Sequence, residues 1–281
     1  MQTRSLRHRR PRAAALFGRQ PALVATIHLP PLPGSPARRR PFDPEAFLAH
    51  VRREAESLRD AGFDAVLIEN FGDAPFFRVG VEPHTVALLA MAAREARLAT
   101  GLPTGINALR NDARAALGAA AACGASFIRV NVHVGMAVTD QGLIEGDAAA
   151  TLRYRAALGT TTLILADVHV KHAYPLGPSD VAQATAECLE RGRADAVIIT
   201  GPATGQPPAQ EDLDRARAAA RGRPVLAGSG VRPDNLAELL AHADGIIVSS
   251  SLRRSGRAGQ PLDGSRLEAF SGAARRCRRV T

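Results

Sequence analysis

Eight times along this chain a short β-branched or apolar run gives way to a longer alanine-rich amphipathic segment, and that alternation limits the fold more than any other feature. The expected strands are Ala22–Leu29, Ala65–Asn70, Thr104–Leu109, Phe127–Val132, Leu163–Val170, Ala196–Thr200, Pro224–Gly228 and Gly245–Ser250. The helices after them cover about residues 43–61, 82–99, 111–123, 149–158, 178–192, 209–221, 233–242 and 263–276. Strands that are almost continuously apolar are buried on both faces, as in a parallel sheet whose crossovers are helices. Eight such units predict a closed (β/α)8 barrel, and 281 residues are enough for one. The competing fold, an open doubly wound sheet, lacks a Gly-x-Gly-x-x-Gly turn after the first strand. Helix starts are written in capping residues: Asp43-Pro44-Glu45, Pro178-Ser179-Asp180 and Pro233-Asp234-Asn235.

The barrel is expected over residues 21–276, with 1–20 a disordered basic tail and 277–281 a C-terminal tail. The run Ala13–Gly18 between Arg12 and Arg19 is too short for a secretory core, and no apolar stretch approaches a membrane span, so a cytoplasmic protein is expected. Cys123, Cys188 and Cys277 stand at no metal-binding or redox spacing. The net charge of +9 is unevenly placed: 13 of the 36 basic residues lie in residues 1–20, 38–40 and 275–279, and the other 23 face 27 acidic residues. A basic tail with no tryptophan and two tyrosines in the whole chain offers few stacking platforms, so no specific nucleic-acid partner is expected.

In such a barrel the C-terminal strand ends form the site. Here they carry His28, Glu69, Asn70, Asn107, Arg110, Arg129, Asn131, His133, Asp167, His169 and Lys171. A period of two puts Arg129, Asn131 and His133 on one face, and Asp167, His169 and Lys171 on another. Burying such rows demands partners or a ligand. Lys171 is the one lysine of a chain that otherwise uses only arginine, which marks a position where a guanidinium does not serve. An ammonium can be desolvated, lose its proton, attack a carbonyl or bind phosphate as a point charge, so nucleophile, electrostatic clamp and proton carrier all stay open. The seventh and eighth strands end in Gly228-Ser229-Gly230 and Ser249-Ser250, the turns that hold phosphate in this fold. Long loops at 71–81, 133–148 and 201–208 rise over the same mouth and carry Asp140; they suit lids or a homo-oligomer interface.

Seven segments carry a resemblance: Ile27–Pro36 (IHLPPLPGSP), Glu69–Phe76 (ENFGDAPF), Ile106–Asp112 (INALRND), Ile128–His133 (IRVNVH), Thr139–Gly146 (TDQGLIEG), Ala166–His172 (ADVHVKH) and Gly228–Val231 (GSGV). Together they make residues 22–273 similar to the BtpA/SgcQ family. The resemblance implies a ribulose-phosphate-binding-type barrel. Its cyanobacterial members are associated with accumulation of photosystem I proteins, and its SgcQ-like members carry provisional assignments, some as nucleosidases.

Three functions are open at this level. The first is an enzyme acting on a phosphorylated sugar or ribosyl compound by acid/base chemistry: Asp167, His169, Lys171 and Glu69 as catalytic groups, the remaining strand-end residues and Asp140 orienting substrate, and Gly228, Ser229, Gly230, Ser249 and Ser250 holding phosphate. It requires no cofactor. The second uses a divalent metal ion on His133, Asp167 and His169, with His28 and Glu69 as further donors. The third is a non-catalytic biogenesis or stability factor.

Overall fold

The structure, a computed structural model, describes residues 21–177 and 180–278. The tail 1–20, Pro178 and Ser179 at the expected head of the fifth helix, and 279–281 lie outside the described residues. In chain order the elements are β1 (Ala22–His28), α1 (Pro44–Asp60), β2 (Ala65–Glu69), α2 (Pro83–Thr100), β3 (Thr104–Asn107), α3 (Ala113–Cys123), β4 (Phe127–Val130), β5 (Met136–Thr139), β6 (Gly142–Glu145) and α4 (Ala148–Ala157). There follow β7 (Leu163–Val168), β8 (Ala173–Pro175), α5 (Val181–Ala186, running into a π-helical turn Glu187–Arg191), β9 (Ala196–Ile199), α6 (Gln210–Ala220), β10 (Val225–Ala227), α7 (Leu236–His242), β11 (Gly245–Val248) and α8 (Gly264–Cys277). Eight strands close a parallel barrel in the order β1-β11-β10-β9-β7-β4-β3-β2. The eightfold alternation therefore built the expected (β/α)8 barrel.

Helix starts follow capping chemistry. Asp43, Asp112, Asp147, Asp180 and Asp263 each accept a hydrogen bond from the backbone N–H three residues on, satisfying a donor the helix leaves unpaired. Asn235 departs from expectation. It does not cap α7; its Oδ1 accepts from the Arg232 N–H and its Nδ2 donates to the Gly230 carbonyl, so it braces the turn after β10. The expected C-terminal tail also begins later than residue 277, because Cys277 ends α8 and Arg278 caps it.

Alternation along the strands separates two cores. Leu23, Ala25 and Ile27 of β1 pack outward with the helices, whereas Ala22 and Val24 join Leu67, Phe127, Leu165, Ile198, Leu226 and Ile247 inside the barrel. Phe127 fills the interior over Gly105, where a Cβ would lie 2.1 Å from its ring. Each interior column is apolar at its N-terminal end and polar at the other. Val24 leads to Thr26 and His28, Leu67 to Glu69, Phe127 to Arg129, and Leu165 to Asp167. The lower barrel is thus a packed plug, and the polar groups meet in one layer above it.

The loop 133–148 is more ordered than expected. Its β5–β6 hairpin pairs with β8 in a three-stranded antiparallel sheet, seated on a small core of Val132, Ala137, Ile144 and Val170.

Candidate active site

Register assembles the polar layer. His28 is paired with Glu69 and Glu69 with Asn107, so three neighbouring strands set these side chains in one row. Asn107 Nδ2 donates to Glu69 Oε1 at 2.8 Å, and the Arg129 guanidinium reaches the same oxygen at 3.4 Å. Arg129 also donates to both oxygens of Asp167 at 2.9 Å, and Asn131 Nδ2 donates to Asp167 Oδ2 at 2.7 Å. Each of these residues is buried. Asn131 Oδ1 is itself buried and has no hydrogen-bond partner among the described residues.

Above the layer lies a cavity of about 430 Å³. His28, Glu69, Asn107, Arg110, Arg129, Asn131, Asp140, Lys171, Gly228, Ser229, Gly230, Ser249 and Ser250 all border it, and so do Phe71, Phe76, His172, Thr204 and Gly205. The expected substrate and phosphate residues therefore converge, with exceptions that follow from local backbone. Asn70 faces away: its Oδ1 accepts from the Leu109 N–H and its Nδ2 donates to Asp73, fastening two loops. His133 lies past the end of β4, buried against the Gly192 carbonyl at 2.8 Å. The expected row Asp167, His169, Lys171 is broken because β7 ends at Val168 and His169 takes a left-handed φ of 53°. His169 thereby borders a separate cavity of about 80 Å³ under the small sheet, and Lys171 is carried back over the barrel mouth. Asp167 stays below, its oxygens engaged by Arg129 and Asn131. Among the described residues no group of three His, Cys, Asp or Glu side chains stands at metal-holding spacing, so His133, Asp167 and His169 do not form the ligand set that a metal-dependent reading requires.

The electrostatics divide the cavity. The Glu69 carboxyl is lowered to about 2: burial would raise it, but the adjacent His28, then Arg129 and Lys171, outweigh burial. His28 is held below its ordinary value, chiefly by burial. Its Nδ1 accepts the Gly259 N–H at 2.9 Å, which leaves the proton of the neutral ring on Nε2, 3.1 Å from Ser249 Oγ and 3.6 Å from Glu69 Oε2. Phe71 stacks on the ring at 4.2 Å. Lys171 is lowered by burial first and by Arg129 and Arg110, against the pull of Glu69 and Asp167.

The turns after β10 and β11 border the same cavity beside His28. The Ser229, Gly230 and Ser250 N–H groups donate to no carbonyl or side chain among the described residues. Gly230 has φ +63°, and a Cβ there would lie 2.1 Å from the Pro207 nitrogen, so only glycine fits. The Ser229 hydroxyl, expected to meet phosphate, is already used: it accepts from the Gly201 N–H and donates to the Gln206 carbonyl, both at 2.7 Å. Arg253 was missed by sequence reasoning. It is 1% exposed and donates to both oxygens of Glu54, to the Thr26 and Gln260 carbonyls and to Ser249 Oγ, fixing the serine turn from behind. Its place directly after the Ser249–Leu252 run was the available signal.

Solved structures with the same fold include phosphoribosyl anthranilate isomerase from Thermus thermophilus (TM-score 0.56, 14% identity, covering 91% of this chain and 98% of that one). Another is (S)-3-O-geranylgeranylglyceryl phosphate synthase from Thermoplasma acidophilum (TM-score 0.55, 13% identity, 92% and 95%). At those identities the likeness is one of fold. Sequence relatives are much nearer. The photosystem I biogenesis protein BtpA of a Synechocystis strain is 45% identical over 88% of this chain and 86% of its own. An uncharacterized protein of Thermococcus kodakarensis is 46% identical over 86% and 90%. The BtpA family model matches residues 19–276, a span that takes in the whole barrel and every residue of the polar layer, and the chain belongs to the BtpA family.

Proposed function

We propose that the cavity binds a phosphorylated sugar or ribosyl compound and acts on it by acid/base chemistry. The observation that carries this reading is the lining of a single cavity: the β10 and β11 turns, with backbone N–H groups that have no partner among the described residues, and the side chains of His28, Glu69, Arg129 and Lys171 border the same space of about 430 Å³. Phosphate fits the N–H wall, with Ser249 and Ser250 bordering it. The sugar end then meets the ionised Glu69, which suits hydroxyl groups and developing positive charge. Glu69 is too acidic to donate a proton near neutral pH, so proton donation falls to His28 Nε2 or Lys171. Asp167, engaged on both oxygens, positions Arg129 and handles no proton. The solved barrel bound to sn-glycerol-1-phosphate supports the same ligand chemistry by analogy of fold.

The test is thermal denaturation of the purified protein with inorganic phosphate, ribose 5-phosphate, ribose and nucleosides. A ligand bound only by the folded state raises Tm by mass action, by about 3 kcal/mol of stability at a hundred times Kd. Ribose 5-phosphate should stabilise more than ribose, and Ser250→Asp should abolish the difference by setting a carboxylate against the phosphate. Equal shifts in the parent and Ser250→Asp proteins would remove the phosphate assignment. A second reading, a non-catalytic factor in complex biogenesis, draws on the name of the 45% identical relative. It requires that Lys171→Met and Glu69→Gln proteins support biogenesis as well as the parent does.

A further inference from the structure

Lys171 is placed unlike any other cation of the cavity. Arg129 is committed to Asp167 and Glu69, and Arg110 Nη2 donates to the Lys171 carbonyl at 3.0 Å. The Lys171 backbone is tied at both ends, its N–H donating to Thr200 Oγ1 at 3.1 Å and its carbonyl accepting from Arg110, so the side chain springs from a fixed point on the cavity rim. Among the described residues its ammonium forms no ion pair and no hydrogen bond, although two carboxylates and two guanidiniums surround it. A lysine serving as an electrostatic clamp would be expected to sit on a carboxylate. This one stays free, facing the space a ligand would fill.

We propose that Lys171 is a nucleophile that captures the carbonyl carbon of an open-chain aldose or ketose phosphate as an imine. The assignment rests on the reading of the cavity as a sugar-phosphate site and names the reactive form of the substrate. In the step, the Nζ lone pair forms a bond to the carbonyl carbon and the C=O π pair moves to oxygen, which takes up a proton. The nitrogen then gives up its protons as the carbon–oxygen bond breaks, leaving C=N. One amine and one carbonyl yield one imine and one water, with no change of oxidation state. Burial first, and then the two neighbouring guanidiniums, favour the uncharged amine such an attack needs, against the pull of Glu69 and Asp167. His28 Nε2–H and Glu69 stand in the same cavity to pass the protons.

The composition of the chain makes the test clean. With a single lysine, the only other aliphatic primary amine is the α-amino group. The protein is incubated with glyceraldehyde 3-phosphate, dihydroxyacetone phosphate, ribose 5-phosphate or ribulose 5-phosphate, with and without cyanoborohydride, and analysed by intact mass and peptide mapping. The same compounds are tested without reductant by thermal denaturation. The expected result is a reductant-dependent gain equal to the sugar phosphate less water plus two hydrogens, on the Lys171 peptide. In Lys171→Arg, which keeps the charge but cannot form the imine, that adduct should be lost while stabilisation by phosphate persists. Stabilisation by a sugar phosphate with no Lys171 adduct, or with an adduct on the α-amino group alone, would overturn the nucleophile and leave the binding site standing. Neither stabilisation nor adduct with any of the four would overturn both.

Discussion

Replacing Asp167 by asparagine tests the polar layer at its most shielded point. The Asp167 side chain is wholly buried and that of Arg129 is 4% exposed, and two hydrogen bonds of 2.9 Å join them. The substitution keeps the shape but removes the negative charge and turns one acceptor into an N–H₂ group aimed at the donors of Arg129 or Asn131. Breaking a buried ion pair by removing one partner costs about 3–5 kcal/mol, because the remaining charge is stranded. Glu69, 3.4 Å from Arg129, retains part of the compensation, so the lower end, about 3 kcal/mol, is expected. For a domain of this size that lowers Tm by roughly 6–12 °C. Urea and thermal denaturation at pH 7 measure it, alongside Arg129→Met and the double variant Arg129→Met/Asp167→Leu. With Asp167→Leu measured as the matching single, the double variant should be less destabilised than the sum of Arg129→Met and Asp167→Leu, since it strands neither Arg129 nor Asp167 as a buried charge. A loss below about 1 kcal/mol for Asp167→Asn, or an additive cycle, would refute the claim that this layer is a dry, mutually dependent network.

Other substitutions probe the remaining links. Because the Glu69 carboxyl sits at about 2 in the folded protein against an ordinary 4.5, its stabilisation is complete above about pH 4.5 and is lost as pH falls toward 2. Glu69→Gln should therefore flatten the acid limb of a stability–pH curve over that window, and an unchanged limb would place the acid sensitivity elsewhere. Gly230→Ala forces a Cβ to within 2.1 Å of the Pro207 nitrogen at a φ of +63°, so phosphate affinity measured by calorimetry should fall at least about tenfold with the barrel still folded. Gly105→Ala drives a methyl group into the Phe127 ring, and a loss of about 1–3 kcal/mol in urea denaturation is expected, partly recovered by adding Phe127→Leu.

Much of this architecture was already present in local chemistry. Hydrophobic period, strand length and capping aspartates are properties of a few neighbouring residues, so the eight units, their order and the end of the barrel where the polar groups gather could be read directly. Period two also brought His28, Glu69, Asn107, Arg129 and Asn131 to one face without knowledge of their partners. The reading failed where one backbone angle decides. The left-handed turn at His169 breaks the period, sends that ring beneath the small sheet and returns Lys171 to the mouth, and no propensity of the Asp167–His172 segment reveals it. Pairing was equally hidden. That Asp167 belongs to Arg129, Ser229 to Gly201 and Gln206, and Arg253 to Glu54 is set by which groups the closed barrel brings within about 3 Å, across separations of 23 to 199 residues. Local pattern thus specifies the barrel and the set of groups at its mouth. Which of those groups are spent on one another, and which, Lys171 foremost, border the cavity without a side-chain partner among the described residues, depends on contacts between residues far apart in the chain and so belongs to the closed barrel.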